Sequence, residues 1–162
     1  MSEAMIQRSI DNALIAVGRF IMAWGQLEIA LTYNTELLNP AEVGPDINPD
    51  STARNLAGLT SWWRNAYTKA GGKKHKDADT LVKDIKQAGL TRNSVAHGFH
   101  AIAAFPDGET FAVSCMVQYA RNRLTRSGLP QANFLRDDLT RLTDEIYGLR
   151  ARLETLTRQT IE

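Results

Sequence analysis

Residues 133–158 read NFLRDDLTRLTDEIYGLRARLETLTR, and the leucines and isoleucine recur at alternating steps of four and three. This spacing places the apolar side chains on one side of a helix, which predicts a last helix that begins near Asn133. A heptad-like stripe of this kind packs against other helices at a shallow angle. It favours a helix of an intramolecular bundle over a coiled-coil dimer. The stripe consists of Leu135, Leu139, Leu142, Ile146, Leu149, Leu153 and Leu156.

Three earlier stretches also carry helical periodicity, and each ends at residues that stop a helix. Asn39-Pro40 ends the first, Gly71-Gly72 the second and Gly98 the third. In the first, the apolar stripe passes through Leu14 and Trp24. The predicted helices are therefore Glu3–Leu38, a segment from Asp50 or Ser51 to Ala70, and a segment that follows the basic run at 73–76 and ends near Gly98.

Between Gly98 and the last helix the pattern changes to two short apolar runs around a turn. The runs are Phe99–Phe105 and Thr110–Met116, and Pro106-Asp107-Gly108 lies between them. Proline presets the first dihedral of a turn and glycine accepts the left-handed one, so we expect a β-hairpin. A basic connector, Tyr119–Pro130, follows. The sequence predicts an all-α, up-and-down bundle of four main helices in one domain, 1–162, with a small β-hairpin inserted before the last helix.

Composition limits the classes of protein that this chain can be. Of its 162 residues, 43% are hydrophobic and 23% are charged, which excludes a mainly disordered or collagen-like chain. The formal net charge is +1, so any nucleic-acid binding has to rest on a local patch. Cys115 is the only cysteine, which excludes an intrachain disulfide. Since we find neither a leader nor a run of about 18 apolar residues, we expect a cytoplasmic protein without a membrane segment.

One segment combines residues that carry chemistry: residues 91–98, TRNSVAHG. In a helix, Asn93 and His97 share a face, whereas Arg92 lies about 140° from His97, so the two are not expected to stack directly. Arg92 continues an apolar stripe, where an unpaired arginine is costly to bury. Glu28 lies on the apolar stripe of the first helix, and we hypothesise that it pairs with Arg92. The open alternative is that Leu27 carries that stripe and Glu28 lies at its solvated edge.

The pattern Arg-Asn-x-x-Ala-His-Gly near a helix end resembles the HEPN domains, whose signature is an arginine, four to six residues and a histidine. The first helix is similar too, since residues 20–28, FIMAWGQLE, resemble the aromatic-then-glutamate helix of small members. The resemblance runs from the first helix through Gly98, and the last helix fits a HEPN bundle loosely. The spacing of arginine and histidine alone is weak, but the fuller motif on an all-helical domain of this size is more specific.

The resemblance implies metal-independent RNA cleavage at the interface of a homodimer, in defence or toxin–antitoxin biology, with an antitoxin protein as a further partner. His97 would act as general base or acid, because an ordinary histidine titrates near neutral pH. Arg92 would clamp the phosphate and stabilise the charge of the transition state. Asn93 would orient His97 or contact the phosphate, and Glu28 would support Arg92. No cofactor is implied.

Other readings of the same residues stay open. The chain could be a non-catalytic HEPN-like module that binds a protein, nucleic acid or nucleotide, or a plain structural dimer, which would leave Arg92 and His97 unexplained. Cys115 is expected to be a buried thiol. His75 and His100 lack companions at ligand spacing, so no metal site is expected. Two basic clusters are candidates for RNA contact or for a solvated surface: Lys73, Lys74 and Lys76, and Arg121, Arg123 and Arg126.

Overall fold

The computed structural model describes residues 2–39, 56–116 and 131–162, and these residues are mainly α-helical. Four helices and a small antiparallel sheet of three strands, inserted before the last helix, make up the described part of the chain. This confirms the predicted fold class. The elements are α1 (Glu3–Leu38), α2 (Leu56–Lys69), α3 (His75–Gly98), β1 (Phe99–Ala104), β2 (Phe111–Met116), β3 (Gln131–Leu135) and α4 (Arg136–Ile161).

The hairpin forms where the turn residues predict it. Antiparallel β1 and β2 are joined by the turn at 105–110, in which Gly108 has a φ of 68°. That left-handed conformation strains any residue with a Cβ, which explains the glycine. Asp107 stabilises the turn from within, since its carboxylate accepts hydrogen bonds from the backbone N–H groups of Glu109 and Thr110. A hydrogen bond from the Thr110 hydroxyl, followed by these two backbone bonds, lowers the pKa of Asp107 below its ordinary value.

The third strand was not predicted, and it corrects the start of the last helix. Residues 131–135 pair with β2, and α4 begins at Arg136 rather than near Asn133. Leu135 matches the heptad spacing, but it ends β3 and its side chain is half exposed. The helix start has its own signal, because the Leu135 N–H donates to Asp138 Oδ2 at 3.0 Å, as in a capping box. The predicted connector, residues 119–130, and the start of the second helix lie outside the described residues.

The described residues group into two compact units, and α1, α3 and α4 each run through both. The first unit comprises Met1–Ala23 and Leu90–Asp144, and the second Trp24–Gly89 and Glu145–Glu162. Nothing in this grouping tests the prediction of a single domain.

The first unit contains the sheet and the end of α3. Its core includes one side of β2, with Phe111, Val113 and Cys115 fully buried. The hairpin turn is attached to α1, because Ser9 Oγ donates to the Thr110 carbonyl. In the same place Glu109 bridges two arginines, at 2.5 Å to Arg8 and 3.6 Å to Arg136. These contacts join α1, the turn and the start of α4.

The second unit has a helical core with two large aromatic rings at its centre. Trp63 and Tyr67 of α2 are buried with ring centroids 5.4 Å apart, and Trp63 Nε1 donates to Thr157 Oγ1 of α4 at 3.2 Å. Aromatic rings of this size contribute much of a core's buried area. The other fully buried large side chains of this unit are Trp24, Leu27, Leu31, Leu81, Ile85, Ile146 and Leu153.

Two expectations about α1 need correction. Leu14 was assigned to the buried stripe, but it is 51% exposed and Ala13 is buried instead. By length and composition alone α1 also qualifies as a helix that could cross a membrane, so the expectation of no such segment fails by this criterion. The core helix of a soluble protein and a signal sequence near an N-terminus pass the same test, which makes it weak evidence. A cytoplasmic location stays a prediction.

Candidate functional site

The Arg92–His97 motif lies at the end of α3, immediately before the sheet. Its inner side is held by Ser94 and Val95, which are buried in the first unit. Ser94 Oγ donates to the Leu90 carbonyl at 3.1 Å, so the hydroxyl is satisfied within the helix. Asn93 and His97 are exposed on the outer side. Because β1 begins one residue after Gly98, the sheet fixes the end of the helix that carries the histidine.

Arg92 and His97 contact each other within one chain, which corrects the expectation that they diverge. Arg92 Nη1 lies 3.4 Å from His97 Nε2 and 3.1 Å from Asn93 Oδ1. The helix does point the two Cβ atoms in different directions, but the long arginine side chain spans the difference. In this arrangement the amide of Asn93 orients the guanidinium rather than the imidazole.

The contact also limits the role that one imidazole nitrogen can play. A guanidinium has only donors, so Arg92 donates and His97 Nε2 has to accept through its lone pair. Nε2, which a general base would use, is held by the same arginine that would bind a phosphate. The imidazole and the guanidinium thus serve as hydrogen-bond partners for each other within the motif.

Arg92 is only partly satisfied. Its Nε atom is buried and has no hydrogen-bond partner among the described residues. A buried donor without a partner is costly, so the burial of Nε destabilises this arrangement of Arg92. The hypothesis that Glu28 supports Arg92 joins residues of different units and stays a prediction.

Glu28 has a partner on its own helix. Trp24 Nε1 donates to Glu28 Oε1 at 2.8 Å, and the Glu28 side chain is half-buried. Leu27 is fully buried, so the stripe of α1 passes through Leu27, as the alternative interpretation held. The indole N–H explains why a carboxylate borders the apolar face, since it gives that carboxylate a hydrogen bond.

The basic residues predicted for RNA contact divide into two groups. Lys73, Lys74 and Lys76 are exposed in the second unit, next to the start of α3. His75 lies among them with its ring edge-on to Tyr67, at 6.3 Å between centroids. The second cluster, Arg121, Arg123 and Arg126, lies outside the described residues.

Cys115 is a buried thiol, as expected from its apolar neighbours in the sequence. Its side chain is fully buried in β2, and burial raises the pKa of the Cys115 thiol. A thiol kept protonated and inaccessible is a poor nucleophile. Cys115 is therefore not a candidate nucleophile.

Two grooves were not predicted from the sequence, because each forms only when separate helices pack together. A groove of about 480 Å³ in the first unit lies between α1 and the first turns of α4, and Arg19 and Arg136 are among its lining residues. A groove of about 410 Å³ in the second unit lies between the start of α3 and the end of α4. Lys74 lines the second groove, so one residue of the predicted basic run belongs to it.

Among the residues that the structure describes, no three His, Cys, Asp or Glu side chains lie together as candidate metal ligands. Comparison of the chain with protein-family models, curated proteins and solved structures finds no match in any of the three. The resemblance to HEPN domains therefore rests on the residues of the motif and of the first helix.

Proposed function

We propose that this protein is a metal-independent ribonuclease of the HEPN type that acts on RNA as a homodimer. The observation that supports this most is the contact between Arg92 and His97 at an exposed helix end. It joins a guanidinium that can bind an anion to an imidazole whose Nε2 can accept a proton. This pair has the composition that cleavage of a phosphodiester requires without a metal ion.

In the proposed reaction the phosphate of the substrate replaces His97 as the partner of Arg92. The freed Nε2 then takes the proton of the ribose 2′-hydroxyl, and the 2′-oxygen attacks the adjacent phosphorus. The bond from phosphorus to the 5′-oxygen breaks, so the products are a 2′,3′-cyclic phosphate and a 5′-hydroxyl. Arg92 stabilises the negative charge on the phosphate oxygens, to which its planar donors are suited.

A second copy of the chain supplies what one motif lacks. The departing 5′-oxygen needs a proton from a general acid. His97 of the same motif acts as the base, so that motif has no second histidine to act as the acid. A second His97 across a two-fold axis, in its protonated form and released from its own Arg92, would be that acid. Exposed apolar side chains beside the motif support this arrangement: Leu90 is 59% exposed on the same side of α3 as His97, and Phe99 is 40% exposed.

The wider biology in this proposal comes from the HEPN resemblance alone. It suggests a role in defence or toxin–antitoxin systems, an antitoxin protein as a partner and a cytoplasmic location.

The test is RNA cleavage in excess EDTA by the wild-type chain and by His97→Ala. The matched control is His75→Ala, which removes an exposed histidine of the second unit. We expect the wild type and His75→Ala to cleave equally, and His97→Ala to be inactive. If no protein cleaves and all bind RNA equally, the non-catalytic binding module replaces this proposal.

Mixing two inactive variants tests the composite site. In a dimer that carries Arg92→Ala in one chain and His97→Ala in the other, one site lacks its arginine and its acid, and the other site lacks its base. If each site draws its base and its arginine from one chain and its acid from the other, the mixed dimer recovers no site with all three groups. Recovery of a large share of the wild-type rate would contradict this division of roles.

A further inference from the structure

The second unit has a groove that the proposed chemistry does not use. It lies between the start of α3 and the last turns of α4, with a volume of about 410 Å³. Along α4 it extends from Ala151 to Gln159, which is about 12 Å at 1.5 Å per residue. A groove of this length takes a short run of an extended strand rather than a double helix. Its polar lining residues are Lys74, Asp77, Thr80, Arg152, Thr155 and Gln159.

The surroundings of this groove are positively charged, although the chain as a whole is nearly neutral. Residues 69–86 contain six lysines and three aspartates. Two of those aspartates are bound to arginines: Asp79 lies 2.6 Å from Arg64, and Asp84 lies 2.7 Å from Arg152. The remaining one, Asp77, lines the groove together with Lys74 and Arg152. Such a local excess of cations attracts a polyanion.

The groove also offers acceptors beside its donors. Thr80 Oγ1 donates to the Lys76 carbonyl and Thr155 Oγ1 donates to the Ala151 carbonyl, both at 2.8 Å. Because each hydroxyl already donates its proton to a carbonyl of its own helix, its oxygen can only accept a hydrogen bond from a ligand. Lys74, Arg152 and Gln159 supply donors. A ribose-phosphate backbone matches this set, since its phosphates accept and its 2′-hydroxyls donate.

We propose that this groove binds the ribose-phosphate backbone of single-stranded RNA, as a second holding site apart from the residues that cleave. The choice of RNA rests on the proposed function, but the binding itself does not need cleavage. Lys74 holds a phosphate, Arg152 donates to the backbone while it stays paired with Asp84, and the two threonine hydroxyls accept from 2′-hydroxyls. The α4 residues Arg152 and Thr155 thereby gain a role that the basic run at 73–76 does not predict.

The experiment measures binding of a fluorescent single-stranded RNA by anisotropy, in the His97→Ala background so that the RNA stays intact. The test variant is Lys74→Gln, and the control is Lys83→Gln, an exposed lysine of α3 that does not line the groove. We expect Lys74→Gln to weaken binding about fivefold and to lower the slope of log K against log salt by about 0.7, as the loss of one phosphate contact does. Lys83→Gln is expected to change affinity less than about twofold.

Thr155→Val tests the part of the proposal that concerns ribose. The wild type is expected to bind RNA more tightly than DNA of the same sequence, and Thr155→Val to reduce that preference while DNA binding stays unchanged. Equal losses of RNA affinity for Lys74→Gln and Lys83→Gln would contradict binding in the groove. They would indicate a general electrostatic attraction by the basic surface instead. Equal affinity for RNA and DNA would overturn the role of the hydroxyls. If the groove binds RNA but the wild type cleaves none, the proposed function fails and this inference stands.

Discussion

Arg92 donates a hydrogen bond to His97 of its own chain, with 3.4 Å between Nη1 and Nε2. The bond keeps the guanidinium beside the imidazole. If the protein is the proposed ribonuclease, a substrate phosphate has to displace His97 from Arg92 before Nε2 can act as a base.

The shape of the arginine should matter more than its charge. Arg92→Lys keeps the positive charge but loses the planar fork that reaches Asn93, His97 and a phosphate. We expect RNA cleavage to fall about a hundredfold, in the range of losing one donor to a charged transition state. The measurement compares the cleavage rate of Arg92→Lys with that of a control, Arg141→Lys. Arg141 is an exposed arginine of the same unit. A wild-type rate for Arg92→Lys would contradict the clamp.

Leu90 should contribute to the proposed dimer. Leu90→Asp puts a charge on an exposed apolar position three residues before Asn93. If this side of α3 faces a second copy, the dimer dissociation constant should rise about tenfold or more, since burying the charge is costly. Analytical ultracentrifugation measures it, with Ile161→Asp as a control at an exposed apolar residue of the second unit. An unchanged dimer, or a wild type that is monomeric throughout, would refute the placement.

Two glycines of the second unit should respond to alanine in opposite directions. A Cβ at Gly72 would collide with the ring of Tyr67, whose hydroxyl is held by the Lys74 N–H at 3.0 Å. We expect Gly72→Ala to lower the free energy of unfolding by about 1–3 kcal/mol through overpacking. Gly148 is an exposed residue inside α4 with open space around it, so Gly148→Ala should raise that free energy by about 1 kcal/mol. Urea unfolding measures both, and a stabilised Gly72→Ala would show that the ring moves freely.

The hairpin turn should lose the support of Asp107 only in acid. Hydrogen bonds from Thr110 and Glu109 lower the pKa of Asp107 below 3.8, so the folded chain binds this proton less readily than the unfolded chain does. The stability that the carboxylate contributes is therefore fully present above its ordinary pKa and is lost as the pH falls through the lowered one.

The comparison of wild type with Asp107→Ala makes this visible. We expect the variant to melt at a lower temperature at pH 6, and the difference to shrink below about pH 4. Thermal unfolding followed by circular dichroism at a series of pH values provides the measurement. A difference that already disappears between pH 5 and 7 would mean that another group titrates in the turn.

The helices and the hairpin could be predicted because their signals are local. Periodic apolar residues and Asn39-Pro40 placed α1, and the glycine after Asp107 placed the turn. The third strand has no comparable signal: Leu135 fits the heptad of the last helix, and only pairing with β2 separates it from that helix. The prediction that Leu14 is buried was wrong for a similar reason. Its spacing fits the apolar stripe, but tertiary packing decides which positions of that stripe are buried.

The motif could be located from the sequence, but its geometry could not. The order of Arg92, Asn93 and His97 marks the segment, whereas ideal helix angles describe Cβ directions and not the reach of an arginine. Trp24 as the partner of Glu28 is visible as an i,i+4 pair once the helix is known. Arg152 and Thr155 line a groove because of the way α4 packs within the second unit. The spacing of residues in the sequence does not encode that packing.

The most direct test of the central claim is the chemistry of the RNA ends formed in excess EDTA. Wild type, His97→Ala and the control His75→Ala are incubated with the same RNA, and the products are analysed by mass spectrometry. We predict 2′,3′-cyclic phosphate and 5′-hydroxyl ends from the wild type and from His75→Ala, and intact RNA from His97→Ala. Products with 5′-phosphate ends, or cleavage by His97→Ala at the wild-type rate, would contradict a ribonuclease centred on His97.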